Sequence, residues 1–289
     1  MKQLLILSGK GGTGKTTIAG AFIKLSSARA YADCDVDAPN LHLVMHHPSE
    51  PERSDYCGLP KAVIDAGLCI RCDLCRLHCR FDAIIAEADY RVDHYACEGC
   101  GVCQVLCPYG AVSLRPAVAG ELRLYQNDAL FSTAQLRMGN GASGKLVTEV
   151  KKQLNSAGVD TELAIIDGSP GIGCPVIASM SGVDMVLIVA EPSLSGISDL
   201  ERIIKTAWAF RTKMMVCVNK YDQNLTRTEF IENYCENTNI PFAGRIPFDA
   251  GAAEAINTGQ TIVDVDCISG RAVKRVYEET MRLLFQGSD

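Results

Sequence analysis

The chain has 289 residues, 47% of them hydrophobic, and a formal net charge of −6. This composition supports a real core and excludes an intrinsically disordered chain or a short disulfide-stapled scaffold. The negative charge argues against nucleic acid or an anionic membrane as partner, because both need a basic surface. No apolar run approaches the roughly 18 residues of a membrane span, and Met1 to Leu7 lacks secretory-signal features, so we expect a cytoplasmic protein.

Apolar runs alternate with amphipathic segments along most of the chain. The pattern predicts a strand from Gln3 to Leu7, a glycine loop, a helix from Thr16 to Leu25 and a strand ending at Asp33. Further buried strands are predicted at Leu163–Asp167, Met185–Ala190, Met214–Asn219 and Phe242–Ile246. Helices are predicted at Lys145–Ser156, Cys174–Ser181, Ser195–Phe210, Thr226–Asn237 and Arg271–Phe285. This alternation predicts an α/β fold with a doubly wound, mostly parallel sheet.

Residues 59–117 interrupt the alternation with dense cysteine. Of the 14 cysteines, eight lie here in two runs of identical spacing, C-x2-C-x2-C-x3-C. We therefore predict one nucleotide-binding domain in two pieces, residues 1–58 and 118–289, with an inserted α+β domain at residues 59–117.

A phosphate-binding loop follows the first strand. Gly9 to Thr16 reads G-x-x-x-x-G-K-T between a strand and a helix, the context that this motif requires. Lys15 is predicted to reach the terminal phosphates and Thr16 to bind Mg²⁺. Backbone N–H groups at the start of the helix are predicted to hold the phosphates, and they belong to Gly11, Gly12, Thr13, Gly14, Lys15, Thr16 and Thr17.

A second glycine segment, Gly139 to Lys145, fits the same glycine spacing but is followed by Leu146. Leucine has no hydroxyl for a metal ion. We interpret this segment as a glycine loop and helix cap.

Lys10 places the loop in a narrower group. The run from Lys10 to Thr17 resembles the deviant Walker A motif of the MinD/ParA/nitrogenase-iron-protein class of P-loop ATPases. The resemblance implies a homodimer that sandwiches nucleotide, with Lys10 reaching into the partner's site. A solvated surface lysine is the alternative interpretation.

Two acidic segments complete the resemblance. The segment from Asp33 to Asp37 matches switch I, whose carboxylate orients the attacking water and supports Mg²⁺, a role carried over to Asp35 first and Asp33 second. The segment from Asp167 to Gly171 resembles the Walker B and switch II segment. There the likeness implies that Asp167 holds a metal-bound water and that the Gly171 N–H turns toward the γ-phosphate.

Asn219 is the predicted base-reading residue. Asn219 and Asp222 match the N-x-x-D pattern of guanine readers, which would suggest GTP. The MinD-type resemblance instead places an asparagine here that contacts adenine, and we favour ATP.

The cysteine runs resemble those of bacterial ferredoxins that hold two [4Fe–4S] clusters, in which the fourth cysteine of each run ligates the other cluster. One predicted ligand set is Cys69, Cys72, Cys75 and Cys107, and the other is Cys97, Cys100, Cys103 and Cys79. Zinc is the competing interpretation, although zinc ribbons use two pairs of cysteines and not two runs of four. Disulfides are not expected without export.

Other cysteines and histidines carry weaker signals. Cys174 opens the helix after switch II, and we expect a buried structural thiol, with a redox or cluster contact at a dimer interface as the alternative. His42 and His46 stand one helical turn apart, and we expect a surface helix face rather than a metal pair. The isolated cysteines are expected to be core or surface residues: Cys34, Cys57, Cys217, Cys235 and Cys267.

Two functions fit these predictions. The first is an ATPase that couples its nucleotide state to electron transfer through two [4Fe–4S] clusters, with an unknown redox partner. In this hypothesis, the inserted domain directly follows switch I and senses its movement. The alternative is an ATP-dependent iron–sulfur carrier of the Mrp type, but those proteins use a C-terminal C-x-x-C that is absent after Ala190.

Overall fold

The computed structural model describes residues 1–45, 47, 49–126 and 128–286. In these residues nine strands, numbered along the chain, form one sheet. Their spatial order is β13 (Phe242–Ile246), β12 (Lys213–Asn219), β11 (Met185–Ala190), β1 (Lys2–Leu7), β10 (Leu163–Asp167), β2 (Ala30–Asp33), β9 (Leu130–Leu136), β8 (Val118–Gln126) and β3 (Glu52–Cys57). Neighbours from β13 to β9 are parallel, whereas β8 and β3 are antiparallel. The prediction of a mostly parallel α/β sheet is confirmed.

Helices cover both faces of this sheet. They are α1 (Lys15–Ser26), α4 (Ser143–Ser156), α5 (Cys174–Met180), α6 (Leu194–Ala209), α7 (Leu225–Asn237), α8 (Ala250–Asn257) and α9 (Ile268–Phe285). Leu4 and Ile6 of β1 pack in the core that contains α1 and α9, while Leu5 and Leu7 pack in the core that contains α4 to α7. Both faces are buried, so the central strands are continuous apolar runs. No helix in the described ranges is long and apolar enough to cross a membrane.

Three strands at one edge of the sheet, and helix α8, were not among the predicted elements. In β3 only Tyr56 is buried, and β8 mixes charged with apolar residues, so neither carries the continuous apolar signal of the central strands. β9 adds to β2 in parallel, and β8 and β3 then extend the sheet by antiparallel pairing.

Residues 59–117 fold outside the large sheet. They repeat the order strand, helix, strand as β4 (Lys61–Ile64), α2 (Leu74–Leu77), β5 (Ile84–Ala86), β6 (Tyr90–Val92), α3 (Val102–Leu106) and β7 (Val112–Arg115). β4 pairs with β7, and β5 pairs with β6, both antiparallel. A small core of Ala62, Ala83, Cys97 and Val112 packs between them. We call residues 59–117 the inserted segment.

The inserted segment does not directly follow the Asp33–Asp37 segment, which corrects the sequence-based hypothesis. It joins β3 to β8 at the edge of the sheet, and β8 and β9 separate β3 from β2. Any movement near Asp35 therefore reaches the inserted segment through neighbouring elements and not along the chain.

The core assignment leads to a stability prediction for Phe131. This ring is fully buried and stacks on Tyr31 and Tyr125, with centroids 5.1 Å and 5.3 Å apart. We expect Phe131→Ala to lower the free energy of unfolding by about 3–5 kcal/mol, because it leaves a cavity in place of buried aromatic surface. Denaturant titration followed by circular dichroism measures the loss.

The matched control is Phe230→Ala, since Phe230 lies exposed on α7. Its truncation should change the free energy of unfolding by less than about 0.5 kcal/mol. Equal losses in the two variants would contradict the core assignment.

Candidate functional site

The phosphate loop lies at the carboxyl end of β1, beside an open cavity of about 1180 Å³. Residues Lys10 to Thr17 line one side of this cavity, and Asp35, Asp37 and the Ser169–Pro170 pair line the other. The fold thus brings the predicted phosphate loop and one predicted switch carboxylate to the same space. A cavity of this kind at the carboxyl edge of a parallel sheet is the usual place for a nucleotide.

The loop depends on glycine at two positions. Gly12 and Gly14 have φ angles of +78° and +90°, a left-handed conformation that disfavours other residues. A Cβ at Gly14 would also lie 2.3 Å from the side-chain nitrogen of Asn219. Asn219 Nδ2 donates to the Thr13 carbonyl at 2.6 Å, so the predicted base-reading residue also ties the loop to the end of β12.

Lys15 and Asp167 form a buried ion pair between the loop and the end of β10. The Lys15 ammonium also donates to Thr16 Oγ1 at 3.3 Å. Within the described residues, Asp167 Oδ2 is buried without a hydrogen-bond partner. A Mg²⁺-bound water would satisfy this oxygen, and the nearby Thr16 hydroxyl is an oxygen ligand of the kind that Mg²⁺ prefers. These residues therefore fit the predicted Mg²⁺ site.

Asp33 and Asp35 have different surroundings, because Asp33 is buried among backbone donors and Asp35 lines the cavity. Asp33 is fully buried and accepts three backbone N–H bonds, from Asp35 at 2.9 Å and from Asn40 and Leu41 at 3.0 Å each. Burial, and then the charge of Asp167, raise the pKa of Asp33 to about 7. Asp35 is half-buried and lines the cavity, and burial raises its pKa as well. Asp35 is thus the carboxylate placed to meet a ligand, while Asp33 shapes the chain around it.

Lys10 contacts residues of its own chain. Its ammonium pairs with Glu191 at 2.9 Å and donates to Ser193 Oγ at 3.1 Å. Lys220 Nζ donates to the Gly12 carbonyl at 2.8 Å. Sequence reasoning had not assigned these contacts to Glu191, Ser193 and Lys220. Their positions just after β11 and β12 could have indicated them, because those strand ends meet at the same edge.

Two residues with predicted ligand contacts, Gly171 and Asp222, form hydrogen bonds within the chain instead. Gly171 has a φ of +95°, and its N–H donates to the Ser8 carbonyl at 3.0 Å. Asp222 Oδ1 accepts the Phe248 N–H at 2.8 Å. One oxygen of the carboxylate that would read guanine is therefore occupied by the backbone.

The eight clustered cysteines line two small cavities. One cavity is lined by Cys69, Cys72, Cys75 and Cys107. The other is lined by Cys79, Cys97, Cys100 and Cys103. Each cavity takes three thiols from one run and the fourth from the other, which is the grouping that the spacing predicts for paired clusters.

Apolar side chains complete the walls of both cavities, among them Ile64 and Val112 in one and Ile84 and Leu114 in the other. Backbone N–H groups reach a sulfur in each, from Ala111 to Cys107 Sγ at 3.3 Å and from Ala62 to Cys97 Sγ at 3.5 Å. In the portion of the chain that the structure describes, no group of three or more His, Cys, Asp or Glu side chains is placed to hold a single metal ion.

The expectation that Cys174 is a buried thiol is wrong. It is exposed at the start of α5. Cys34, Cys217 and Cys235 are buried, and Cys57 is exposed. His42 belongs to a short 3₁₀ turn that ends at Leu43 and not to a longer helix, and His46 lies outside the described residues.

The fold and the glycine loop define a P-loop nucleotide-binding protein. Residues 4–262 match the model of the CobQ/CobB/MinD/ParA nucleotide-binding domain, and the chain belongs to this family of P-loop ATPases. An uncharacterized protein of Methanocaldococcus jannaschii is 31% identical over 284 residues, which are 96% of this chain and 95% of that protein.

Two further likenesses are more limited. The structure of the septum site-determining protein MinD from Pyrococcus horikoshii, in complex with Mg-ADP, matches with a TM-score of 0.58 at 17% identity, over 98% of this chain and 96% of that one, and shares the fold. Pyruvate synthase subunit PorD of Methanothermobacter marburgensis is 35% identical over 54 residues, which are 19% of this chain and 64% of that subunit.

The raised pKa of Asp33 predicts a pH-dependent stability. Between an ordinary carboxyl pKa near 3.8 and about 7, the folded chain keeps a proton on Asp33 that the unfolded chain has released. The contribution of Asp33 to the free energy of unfolding therefore falls as the pH rises through this window.

Asp33→Asn removes this titration. The difference in unfolding free energy between wild type and variant should change by at least about 1 kcal/mol across the window. Denaturant titrations without nucleotide, at several pH values, measure it, and other carboxyl groups cancel in the comparison. Two stability curves that run parallel with pH would show that Asp33 has an ordinary pKa.

Proposed function

We propose that this protein is an ATP-hydrolysing iron–sulfur protein in which the nucleotide state controls electron transfer through two [4Fe–4S] clusters. The observation that carries the proposal is the grouping of the thiols, since two cavities in one inserted segment are each lined by four cysteines drawn from both runs. The similarity of 54 residues to a pyruvate synthase subunit is a second support.

The thiols fit the proposed clusters. Each iron of a [4Fe–4S] cluster binds one cysteine sulfur. Four thiols spread around a cavity therefore suit a cluster better than a single metal ion. Cys69, Cys72, Cys75 and Cys107 would hold one cluster, and Cys79, Cys97, Cys100 and Cys103 would hold the other. When bound, such clusters carry single electrons. The chain's own part is to supply thiolates, to donate backbone N–H groups to sulfur and to exclude water with apolar walls.

The contacts of Asp222 favour ATP over GTP. Guanine presents two neighbouring N–H donors, and a reader aspartate needs free oxygens to accept from both. Asp222 already accepts the Phe248 N–H. Adenine makes no such demand on a carboxylate, so the site is better suited to adenine.

Hydrolysis would use the groups around the large cavity. Lys15 would neutralise the terminal phosphates, and Thr16 and Asp167 would hold Mg²⁺ and its bound water. Asp35, which faces the cavity, would orient the attacking water. The Gly171 N–H would reach the γ-phosphate after leaving the Ser8 carbonyl.

Lys10 supports a nucleotide-dependent homodimer as part of the proposal. In one chain it is held by Glu191 and Ser193. To reach a phosphate in a partner subunit, Lys10 would exchange these contacts for contacts with the bound nucleotide. Binding of ATP would then favour the dimer, because the phosphate is a stronger anionic partner than one half-buried carboxylate.

Nucleotide control needs a physical link to the inserted segment, and residues 136–144 provide one. We call them the coupling segment. At one end, the Leu136 N–H donates to the Val36 carbonyl at 2.8 Å, and Val36 stands between Asp35 and Asp37. At the other end, a Cβ at Gly144 would lie 3.0 Å from the Cys174 carbonyl oxygen. The coupling segment therefore contacts the predicted switch I segment and the start of α5, three residues after the predicted switch II segment.

The middle of the coupling segment meets the inserted segment. A Cβ at Gly139 would lie 3.2 Å from the Tyr95 ring, and one at Gly141 would lie 3.8 Å from the Glu98 carboxylate. Tyr95 and Glu98 flank Cys97, and Glu98 lines a cysteine cavity. A shift of either switch would thus press on the residues around Cys97.

A cluster carrier is the second candidate, and the complete ligand set within one chain makes it the weaker one. All eight thiols come from the inserted segment of one chain, and Cys75 and Cys97 are buried. A carrier has to release its cluster, whereas a complete internal ligand set favours retention.

The interlocked ligand sets predict the effect of Cys107→Ser. Although Cys107 belongs to the second run, its loss should remove the cluster held by the first run and lower the iron content to about half, because each cluster needs four thiolates. Iron analysis and the visible absorption spectrum of the purified full-length protein measure this. Cys57→Ser, at an exposed cysteine before the inserted segment, should leave both unchanged. Full iron content in the Cys107 variant would refute the grouping.

Nucleotide control predicts a shift in reduction potential. A non-hydrolysable ATP analogue should move at least one midpoint potential by roughly 40–130 mV, equivalent to a coupling free energy of about 1–3 kcal/mol. A GTP analogue should have no effect. Mediated redox titration with and without each analogue measures this, and identical curves with and without the ATP analogue would overturn the proposed coupling.

Tyr95→Ala tests the route. It should reduce the shift while ATP hydrolysis continues, because Tyr95, together with Glu98, meets the coupling segment. Leu77→Ala is the control, since Leu77 is exposed on α2 and lines neither cysteine cavity. A normal shift in the Tyr95 variant would assign the coupling to another path.

A further inference from the structure

Lys61 is a buried cation in the inserted segment. It is the first residue of β4 and only 7% exposed. Its ammonium donates to the backbone carbonyl of Cys97. Among the residues for which the structure gives positions, no carboxylate forms an ion pair with it, so the carbonyl is its one recorded partner. Burying an ammonium group costs desolvation free energy, and this one lies beside a proposed cluster ligand.

The surroundings of Lys61 do not cancel its charge. Lys61 forms part of the wall of an open cavity of about 1070 Å³ between the inserted segment and the coupling segment. The other titratable side chains that line this cavity are His94, Tyr95 and Arg137, and none of its lining residues is acidic. The field of the ammonium therefore persists on the side of Cys97.

The Lys61 charge acts mainly on one of the two cysteine cavities. Cys97 lines only the cavity that also contains Cys79, Cys100 and Cys103. Glu98 lines the same cavity, but it is exposed and its charge is screened by solvent, whereas a buried charge is screened much less.

The charged groups at the other cavity cancel one another. Arg71 pairs with Asp89 at 3.0 Å, and Asp73 pairs with Arg76. Arg71 and Asp73, which are the arginine and the aspartate in the wall of that cavity, thus each carry a neutralising partner. The chain supplies a net buried positive charge to one set of four thiols and not to the other.

We propose that Lys61 makes the two clusters unequal, by favouring the added electron at the set of Cys79, Cys97, Cys100 and Cys103. This inference rests on the proposed function, because it needs both clusters. The step is a one-electron reduction by an external one-electron donor, in which no bond forms or breaks and no proton moves. A fixed positive charge stabilises the more negative, reduced state, so Lys61 raises the potential of its own site. Lys61 is a positioning residue for the electron and touches no substrate.

Lys61→Gln tests the proposal in the full-length protein loaded with both clusters. Glutamine keeps a hydrogen-bond donor for the Cys97 carbonyl and removes the charge, while Lys61→Arg keeps the charge. Redox titration with dithionite, followed by electron paramagnetic resonance, should give two midpoints in the wild type. In the Lys61→Gln variant the higher midpoint should fall by about 59 mV, which is a tenfold change in the one-electron equilibrium.

The matched controls should leave both midpoints in place. They are Lys61→Arg and Lys152→Gln, the latter at an exposed lysine of α4 that pairs with Glu149. A single midpoint in the wild type, an equal shift of both midpoints, a shift of the lower one alone, or no shift would each overturn the role of Lys61. Loss of one cluster's iron from both Lys61 variants would also overturn it, because Lys61 would then hold the ligand loop. A wild-type protein that cannot be loaded with clusters would instead refute the proposed function itself.

Discussion

Two carboxylates and one ammonium are buried together where strands β2 and β10 meet the phosphate loop. Asp33 and Asp167 are register partners on neighbouring parallel strands, and Lys15 pairs with Asp167. Removing such charges from water costs several kcal/mol each unless hydrogen bonds and opposite charges compensate. One ammonium cannot neutralise two carboxylates, so Asp33 draws donors from the backbone and keeps a proton up to a pH of about 7.

That requirement determines the path of the chain after β2. The donors to Asp33 come from Asp35, Asn40 and Leu41, so the carboxylate fixes both ends of the following turn. Asp35 is thereby held at the wall of the cavity, and Val36 is placed to accept the N–H that begins the coupling segment. The geometry of the nucleotide cavity and the link to the inserted segment both depend on this small group of buried charges.

The parts of the molecule that could be predicted from the sequence are those defined by a short, local pattern of residues. The central strands are buried on both faces and are therefore uninterrupted apolar runs, and the phosphate loop and the cysteine runs have fixed spacings. The edge strand β3 was missed because only Tyr56 among its side chains is buried. Lys61 carries no local signal, since it matters through Cys97, and the position of Glu191 after a strand does not reveal that it pairs with Lys10. The exposure of Cys174 depends on the packing of α5 in the folded chain, which spacing alone does not define.

The edge strand β3 has a consequence for assembly. A free sheet edge offers unpaired N–H and carbonyl groups to any other strand, and proteins protect such edges with short strands and charged side chains. β3 has six residues, and Glu52, Arg53 and Asp55 are all exposed on it. Two copies of this chain would therefore resist joining their sheets side by side into a continuous ribbon. Self-association should therefore use surfaces away from this edge. The charged side chains that disfavour polymerisation through β3 are also the reason that the sequence pattern did not predict this strand.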